Sequence, residues 1–312
     1  MKHIFGPVPS RRLGRSLGID VIPPKTCTFD CLYCESGRTT HLTCGRREFV
    51  APGIVLEQLE AFLHEHPRAV DALTLSAAGE PTLYAALGEL LRAIKRRHAE
   101  LPLVVISNGS LFWDPQVRRD LMAADLVMPS LDTVDPEVFV ALNRPHPGLD
   151  LEQIIQGLTA FRRQFSATMV LEVLLVQGLN DSPEHLQRLR RVIDAIGPDR
   201  VDLNTVVRPP AVAGVRGLSG PEMEAAMRCF PEDRTRIIGS FTAPVVEQPD
   251  ASAAMRVLRM IERRPCTEEE MASSLALPSA QLSATLAILE RDGTVVRRGF
   301  GDSVYICLPR QS

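Results

Sequence analysis

Cys27, Cys31 and Cys34 fall within eight residues of one another, in KTCTFDCLYCESG, at the spacing Cys-x3-Cys-x2-Cys. Thiolates are soft ligands that favour zinc and iron–sulfur centres. The chain carries seven cysteines, an odd number clustered at one end, which argues against a disulfide framework. Two metal sites suit the cluster. A structural zinc ion takes four protein ligands, and Cys44 is then the candidate for the fourth. A [4Fe–4S] cluster on three cysteines instead leaves one iron open to a non-protein ligand.

The elements that hold this loop follow a regular plan. Short, mostly apolar runs at 17–22, 72–76, 103–107, 125–131, 168–176 and 201–207 read as strands buried on both faces. Amphipathic helices separate them. One carries Leu56, Leu59, Phe62 and Leu63 as its apolar stripe, and the next Leu87, Leu90, Leu91 and Ile94. In the helix after 182, Ser182 is placed as N-cap, Pro183 as the first helical residue and Gly197 as the stop. Six strand–helix alternations predict a parallel sheet with right-handed crossovers, either an open doubly wound sheet or a partial barrel. The cysteines follow the first of the six strands. The stretch RPPAVAGVRGLSGP, 208–221, reads as a functional loop.

A CxxxCxxC run after the first strand of a parallel α/β unit, with the aromatic Tyr33 before its last cysteine, resembles the radical S-adenosylmethionine (SAM) superfamily. The resemblance implies a partial (β/α)6 TIM-like barrel. It implies a [4Fe–4S] cluster on Cys27, Cys31 and Cys34 whose open iron chelates SAM. It also implies reductive cleavage of SAM to a 5′-deoxyadenosyl radical that abstracts hydrogen from a substrate, with ferredoxin or flavodoxin as the usual electron donor. Further stretches match the family's pattern at strand ends. In SAAGEPTL, residues Ala78, Gly79 and Glu80 occupy the positions of the family's GGE-like motif, with alanine for the first glycine. Asn108 in ISNGS, Ser130 and Asp132 in PSLDT, and Arg144 in LNRP are the other implied cofactor-binding residues, with Asn180 in VQGLND a weaker one. FGPVPSRRLGRSLGID and DLNTVVRPPAVAG look most like the iron–sulfur proteins related to the wyosine-base synthases of tRNA. The 4-demethylwyosine synthases carry an upstream cysteine set for a second cluster. This chain has no cysteine before Cys27, so that reaction is not carried over.

Composition is that of an ordinary globular enzyme, 45% apolar and 23% charged, with net charge −3. The charge is uneven. Residues 1–50 hold eight Lys and Arg against four acids. Arg11, Arg12 and Arg15 precede the first strand and are candidates to hold an anionic substrate, RNA backbone or a small molecule. No signal peptide and no run of ~20 apolar residues is evident, so a cytoplasmic protein without membrane contact is expected.

After residue 250 the pattern changes to three helices and a hairpin, which resembles a winged helix. We therefore divide the chain into 1–245 and 251–312. Thr267 and Glu270 form a capping box there. The third helix, with Leu282, Leu286 and Leu289 as its seam, has no Lys or Arg before Arg291. Phosphate contact dominates nucleic-acid affinity and little is offered here beyond Arg297 and Arg298, so docking to a partner protein, to the barrel or to RNA is expected ahead of sequence-specific DNA binding. The rival to an enzyme is an iron–sulfur or zinc regulator whose metal site controls this winged helix.

Overall fold

The computed structural model describes residues 2–10, 12–67, 69–76, 78–238, 253–275, 277 and 279–309. Its first unit contains β1 (Ile4–Ser10), β2 (Gly14–Ile19), β3 (Thr26–Cys27), β4 (His41–Leu42), α1 (Pro52–Glu65), β5 (Ala72–Leu75), α2 (Leu87–Arg97) and β6 (Leu103–Ser107). It continues through α3 (Pro115–Leu121), β7 (Leu126–Pro129), α4 (Pro136–Asn143), α5 (Leu151–Gln164) and β8 (Thr168–Leu175). It ends with α6 (Pro183–Ile196), β9 (Arg200–Thr205), α7 (Gly220–Met227) and β10 (Thr235–Ile237).

The main sheet has the strand order β1-β2-β5-β6-β7-β8-β9-β10. From β2 onward every pairing is parallel, and each strand lies beside its predecessor in that order. A doubly wound sheet reverses direction at a switch point; this order never does, which decides for the partial barrel. The six expected strands are all present. The sheet adds β10 at one edge and β1 at the other, where β1 pairs antiparallel with β2.

Alternation along each strand gives the sheet two different faces. Leu17, Leu73, Val105, Val127, Leu171 and Leu203 face the helices in the main core. Ala72, Val104, Met128 and Val170, their immediate neighbours, form a separate apolar floor on the inner face. Above this floor the inner face is polar. Ser16 and Thr74 share a hydrogen bond of 2.6 Å. Arg12 donates to Glu172 at 2.6 Å and lies 3.7 Å from Asp202, and Asn204 donates to Glu172 at 3.0 Å. The expectation of strands apolar on both faces is therefore corrected at Glu172, Asp202 and Asn204.

Local signals act as expected. Ser182 accepts from the His185 amide, and Gly197 adopts φ 72° at the end of α6. On α1 the fully buried positions are Val55 and Leu59, and Leu56 and Leu63 are only partly buried.

The second unit is α8 (Ala253–Ile261), α9 (Glu268–Leu275), α10 (Ser279–Arg291), β11 (Val296–Phe300) and β12 (Ser303–Cys307). It has its own core around Val257, Met271, Leu286 and Ile306. Thr267 and Glu270 make the reciprocal capping bonds. The expected boundary between 245 and 251 lies outside the described residues. The unit is docked on the sheet. Arg208 bridges Glu35 and Glu270, Ser36 donates to the Arg263 carbonyl, and Tyr305 donates to the Val207 carbonyl.

Cys266 is fully buried in this core, and burial pushes its thiol up to about 12. A raised folded-state pKa means that the contribution to stability is complete below the unfolded value of roughly 8.5 and is lost as pH rises toward 12. Between pH 7.5 and 10 the protein should lose about 2 kcal/mol more than Cys266→Ser. Thermal denaturation of both at the two pH values checks this.

Candidate active site at the strand ends

Cys27 ends β3, directly beyond β2, and the loop from there to Cys34 lies over the carboxyl ends of the parallel strands. Ligands bind at that end of such sheets. Lys25 donates to the Ala78 carbonyl, and the Glu80 amide donates to Thr26. The segment Ala78–Glu80 thus runs beside the start of the cysteine loop. Only glycine fits at its centre: a Cβ on Gly79 would lie 2.0 Å from the Thr26 carbonyl oxygen. Gly79→Ala must therefore displace the backbone next to Cys27. We expect a loss of about 2 kcal/mol together with a fall in iron bound per chain, read by thermal denaturation and iron analysis.

Glu80 is buried and organises two strand ends. Its Oε1 accepts from the Thr82 amide and hydroxyl and from Ser107, and its Oε2 from the Asn108 amide. Burial raises its pKa, and these bonds act the other way. Asn108 in turn donates through Nδ2 to Thr28 at 2.7 Å and to the Cys27 sulfur at 3.5 Å.

A second group of hydrogen bonds holds the far end of the loop. Asp132 is buried, and its carboxylate accepts from the Tyr33 hydroxyl, from Asn143 Nδ2 at 2.8 Å and from the Leu174 amide at 2.9 Å. Asn143 also reaches the Cys31 sulfur at 3.6 Å. Asn180 is fully buried and supports this group from behind, donating to the Asp132 and Leu174 carbonyls. Ser130, Tyr33, Asn108, Asp132 and Asn143 line one small cavity. Arg144, in a left-handed conformation at the end of α4, points its guanidinium toward Asp30 at 3.9 Å.

Of the residues singled out in the sequence, Tyr33, Asn108, Ser130 and Asp132 are therefore brought together, with Ala78–Glu80 beside them. The arginines are not. Arg12 is inside the barrel, held by Glu172 and Asp202. Arg15 sits at the start of β2, the opposite end of the strand, in an ion pair with Asp71. Arg11 lies outside the described residues. Asn143 and Thr28 are not singled out by the sequence, although Asn143 stands in the quoted LNRP. Its signal was an amide side chain at the end of a helix, one residue from the chosen arginine.

The donor set suits an iron–sulfur cluster. Three thiols occupy one loop, and amide donors from two different elements reach two of the sulfurs; hydrogen bonds to sulfur are a normal means of tuning such clusters. Among the described residues no three His, Cys, Asp or Glu side chains converge on one ion. Ligands that each take a separate iron need no such convergence. Cys44 lies two residues past β4, which pairs with β3. Burial pushes the Cys27 thiol up to about 12, the Cys34 thiol up to about 11, and Cys31 well upward too. Metal ligation requires the thiolate, so binding must release these protons.

The family model of the radical SAM superfamily matches residues 21–190. The chain belongs to the radical SAM superfamily. Its cofactors are accordingly a [4Fe–4S] cluster and SAM, and it is an enzyme. A model of the DprA winged helix domain matches residues 241–299. A UPF0026 protein of Helicobacter pylori strain J99 is 33% identical over 86% of this chain and 86% of its own length. A protein of Brachyspira hyodysenteriae named GTPase Obg is 39% identical over 73% of this chain, which spans only 33% of that protein. Among solved structures, TYW1 with a lysine–pyruvate adduct bound superposes with a TM-score of 0.54 at 16% identity, covering 72% of this chain and 74% of that one. At that identity the likeness is one of fold. No helix among the described residues is long and apolar enough to cross a membrane.

Proposed function

We propose that this radical SAM protein holds its cluster on Cys27, Cys31 and Cys34 and binds SAM across the ends of β5 to β8. When bound, the cofactor pair supplies one-electron cleavage of the sulfonium and so a hydrogen-abstracting 5′-deoxyadenosyl radical. The observation that carries the reading is the pair of amide–sulfur contacts, Asn108 to Cys27 and Asn143 to Cys31, which tie the cysteine loop to the ends of β6 and α4.

The chain's own residues have distinct tasks in this reading. Gly79 lets the backbone of Ala78–Glu80 come close to the loop, so that its polar groups face the amino end of SAM. Glu80 fixes Asn108, and the remaining acceptor capacity of Oε2 is available to an ammonium. Ser130 and Asp132 would hold the ribose, with Tyr33 hydrogen-bonded to Asp132. Arg144, beside Asp30, is the residue assigned in this reading to a carboxylate. The polar inner face of the sheet receives the substrate, and the docked winged helix limits access of bulk water. The electron comes from a small carrier such as ferredoxin or flavodoxin. The two units, 1–245 and 251–312, act as one catalytic body.

The test is anaerobic incubation of the reconstituted protein with SAM and a strong reductant, followed by chromatography. Formation of 5′-deoxyadenosine and methionine in equal amounts is expected. Intact SAM with a fully loaded cluster would contradict the proposal.

A further inference from the structure

A cavity of about 190 Å³ lies against the inner face of the sheet, between Thr74 and Ser76 on one side and Ser36, beside the cysteine loop, on the other. Its outer wall is not part of the barrel. Met260, Arg263 and Arg264, at the end of α8, line it from that side. Those residues are held in place from the barrel side. Ser36, two residues past Cys34, donates to the Arg263 carbonyl at 2.7 Å. The Arg263 guanidinium lies 3.7 Å over the Phe5 ring and 3.5 Å from Asp20. Arg264 and Arg208 both reach Glu270, at 3.4 and 2.8 Å.

The wall is rich in donors. Arg12, Arg208, Arg263 and Arg264 line the cavity, and Glu35 is the carboxylate among the described lining residues. Arg208 is 8% exposed, and its Nε has no hydrogen-bond partner; the buried Nε of Arg263 has none either. A buried N–H left without an acceptor is destabilising. Both donors belong to side chains that line the cavity, one from the barrel and one from the second unit. Arginine is also the side chain suited to carboxylate and phosphate. The small volume fits a small molecule rather than a segment of polymer.

We propose that this cavity is the substrate chamber and takes a small molecule bearing a carboxylate or phosphate, held by Arg208, Arg263 and Arg264. The winged helix then furnishes part of the substrate site. The inference rests on the radical SAM reading given above and adds the substrate class to it.

Isothermal titration of the anaerobic holoprotein with inorganic phosphate, with malonate and with neutral 1,3-propanediol tests it. At least one anion should bind and the diol should not; which anion binds distinguishes phosphate from carboxylate. Two variants locate the site. Arg263→Gln with Arg264→Gln removes charged donors, and Ser76→Leu fills the cavity without touching an arginine. Each should weaken anion binding roughly tenfold or more, the effect of losing a charged hydrogen bond. Arg264→Gln alone, which breaks one contact to Glu270, replaces the double variant if that does not fold. Failure of both anions to bind, or unaltered affinity in either variant, overturns the proposal. Cluster content and SAM cleavage are measured on the same preparations. Their absence would sink the enzyme reading, and the titration would still judge the cavity.

Discussion

Cys31→Ala protein, reconstituted anaerobically with iron and sulfide, is expected to hold no [4Fe–4S] cluster and to release no 5′-deoxyadenosine from SAM. Three thiolates on one loop leave no spare ligand, and in the proposed reaction the cluster would pass the electron to SAM. The fall in turnover should therefore span orders of magnitude rather than a fewfold loss. The fold should survive. The thiol's contacts, with Asn143 at 3.6 Å and with the Tyr33 hydroxyl, are weak, and the loop backbone is held independently by the bonds of Asp30 and Leu32 to the end of α4. Cys44→Ala is the control and should retain iron. If it too lost the metal, with zinc in place of iron, the four-thiol site would be restored. Iron analysis, circular dichroism and product chromatography together separate these outcomes.

Asp132→Ala is expected to be among the most destabilising single substitutions in the barrel. The carboxylate is buried and accepts from Tyr33, Asn143 and Leu174. Burial pushes its pKa up, and the three bonds pull it back toward ionisation. Truncation leaves all three donors facing a void. Each orphaned group costs about 1–3 kcal/mol before relaxation, so a total of about 4 kcal/mol is reasonable. For a domain of this size that corresponds to a drop of roughly 10 °C in melting temperature. Asp132→Asn keeps the volume and one accepting oxygen, and the Tyr33 hydroxyl can turn to accept from the new amide. Its loss should be roughly half as large. Equal losses in both variants would show that the negative charge, and not the hydrogen bonds, matters there. Because Tyr33 and Asn143 both lean on this carboxylate, the alanine variant should also weaken cluster retention.

The barrel was legible where strands are long and apolar. All six expected strands exist because β-branched and leucine-rich runs between amphipathic helices have few other solutions. β1 was not read because IFGPVPS carries two prolines and a glycine, a composition tolerated only on an edge strand. β10 has three residues, too few for a pattern. Periodicity left barrel and doubly wound sheet equal, since the choice lies in strand order and not in any one strand.

The site was legible in its metal ligands and less so in its supports. Three cysteines on one short loop have few structural uses, and they stand out by type alone. Asn143 and Thr28 do not: an amide or a hydroxyl is common, and only the fold brings Asn143 to Cys31 across 112 positions. Arg12 is a different case. It stands with Arg11 and Arg15 as a candidate to hold an anionic substrate, and it lines the inner-face cavity. Its partners, Glu172 and Asp202, were hidden in strands read as apolar, where their charge was itself the signal of an inward-facing polar cluster.

The electron paramagnetic resonance spectrum of the anaerobically reduced protein, with and without SAM, tests the central claim most directly. A [4Fe–4S] signal that shifts when SAM is added is the result expected of an open iron held by Cys27, Cys31 and Cys34. A signal indifferent to SAM, or a protein that takes up zinc and shows no cluster at all, would contradict the account and return the winged helix to the centre of the question.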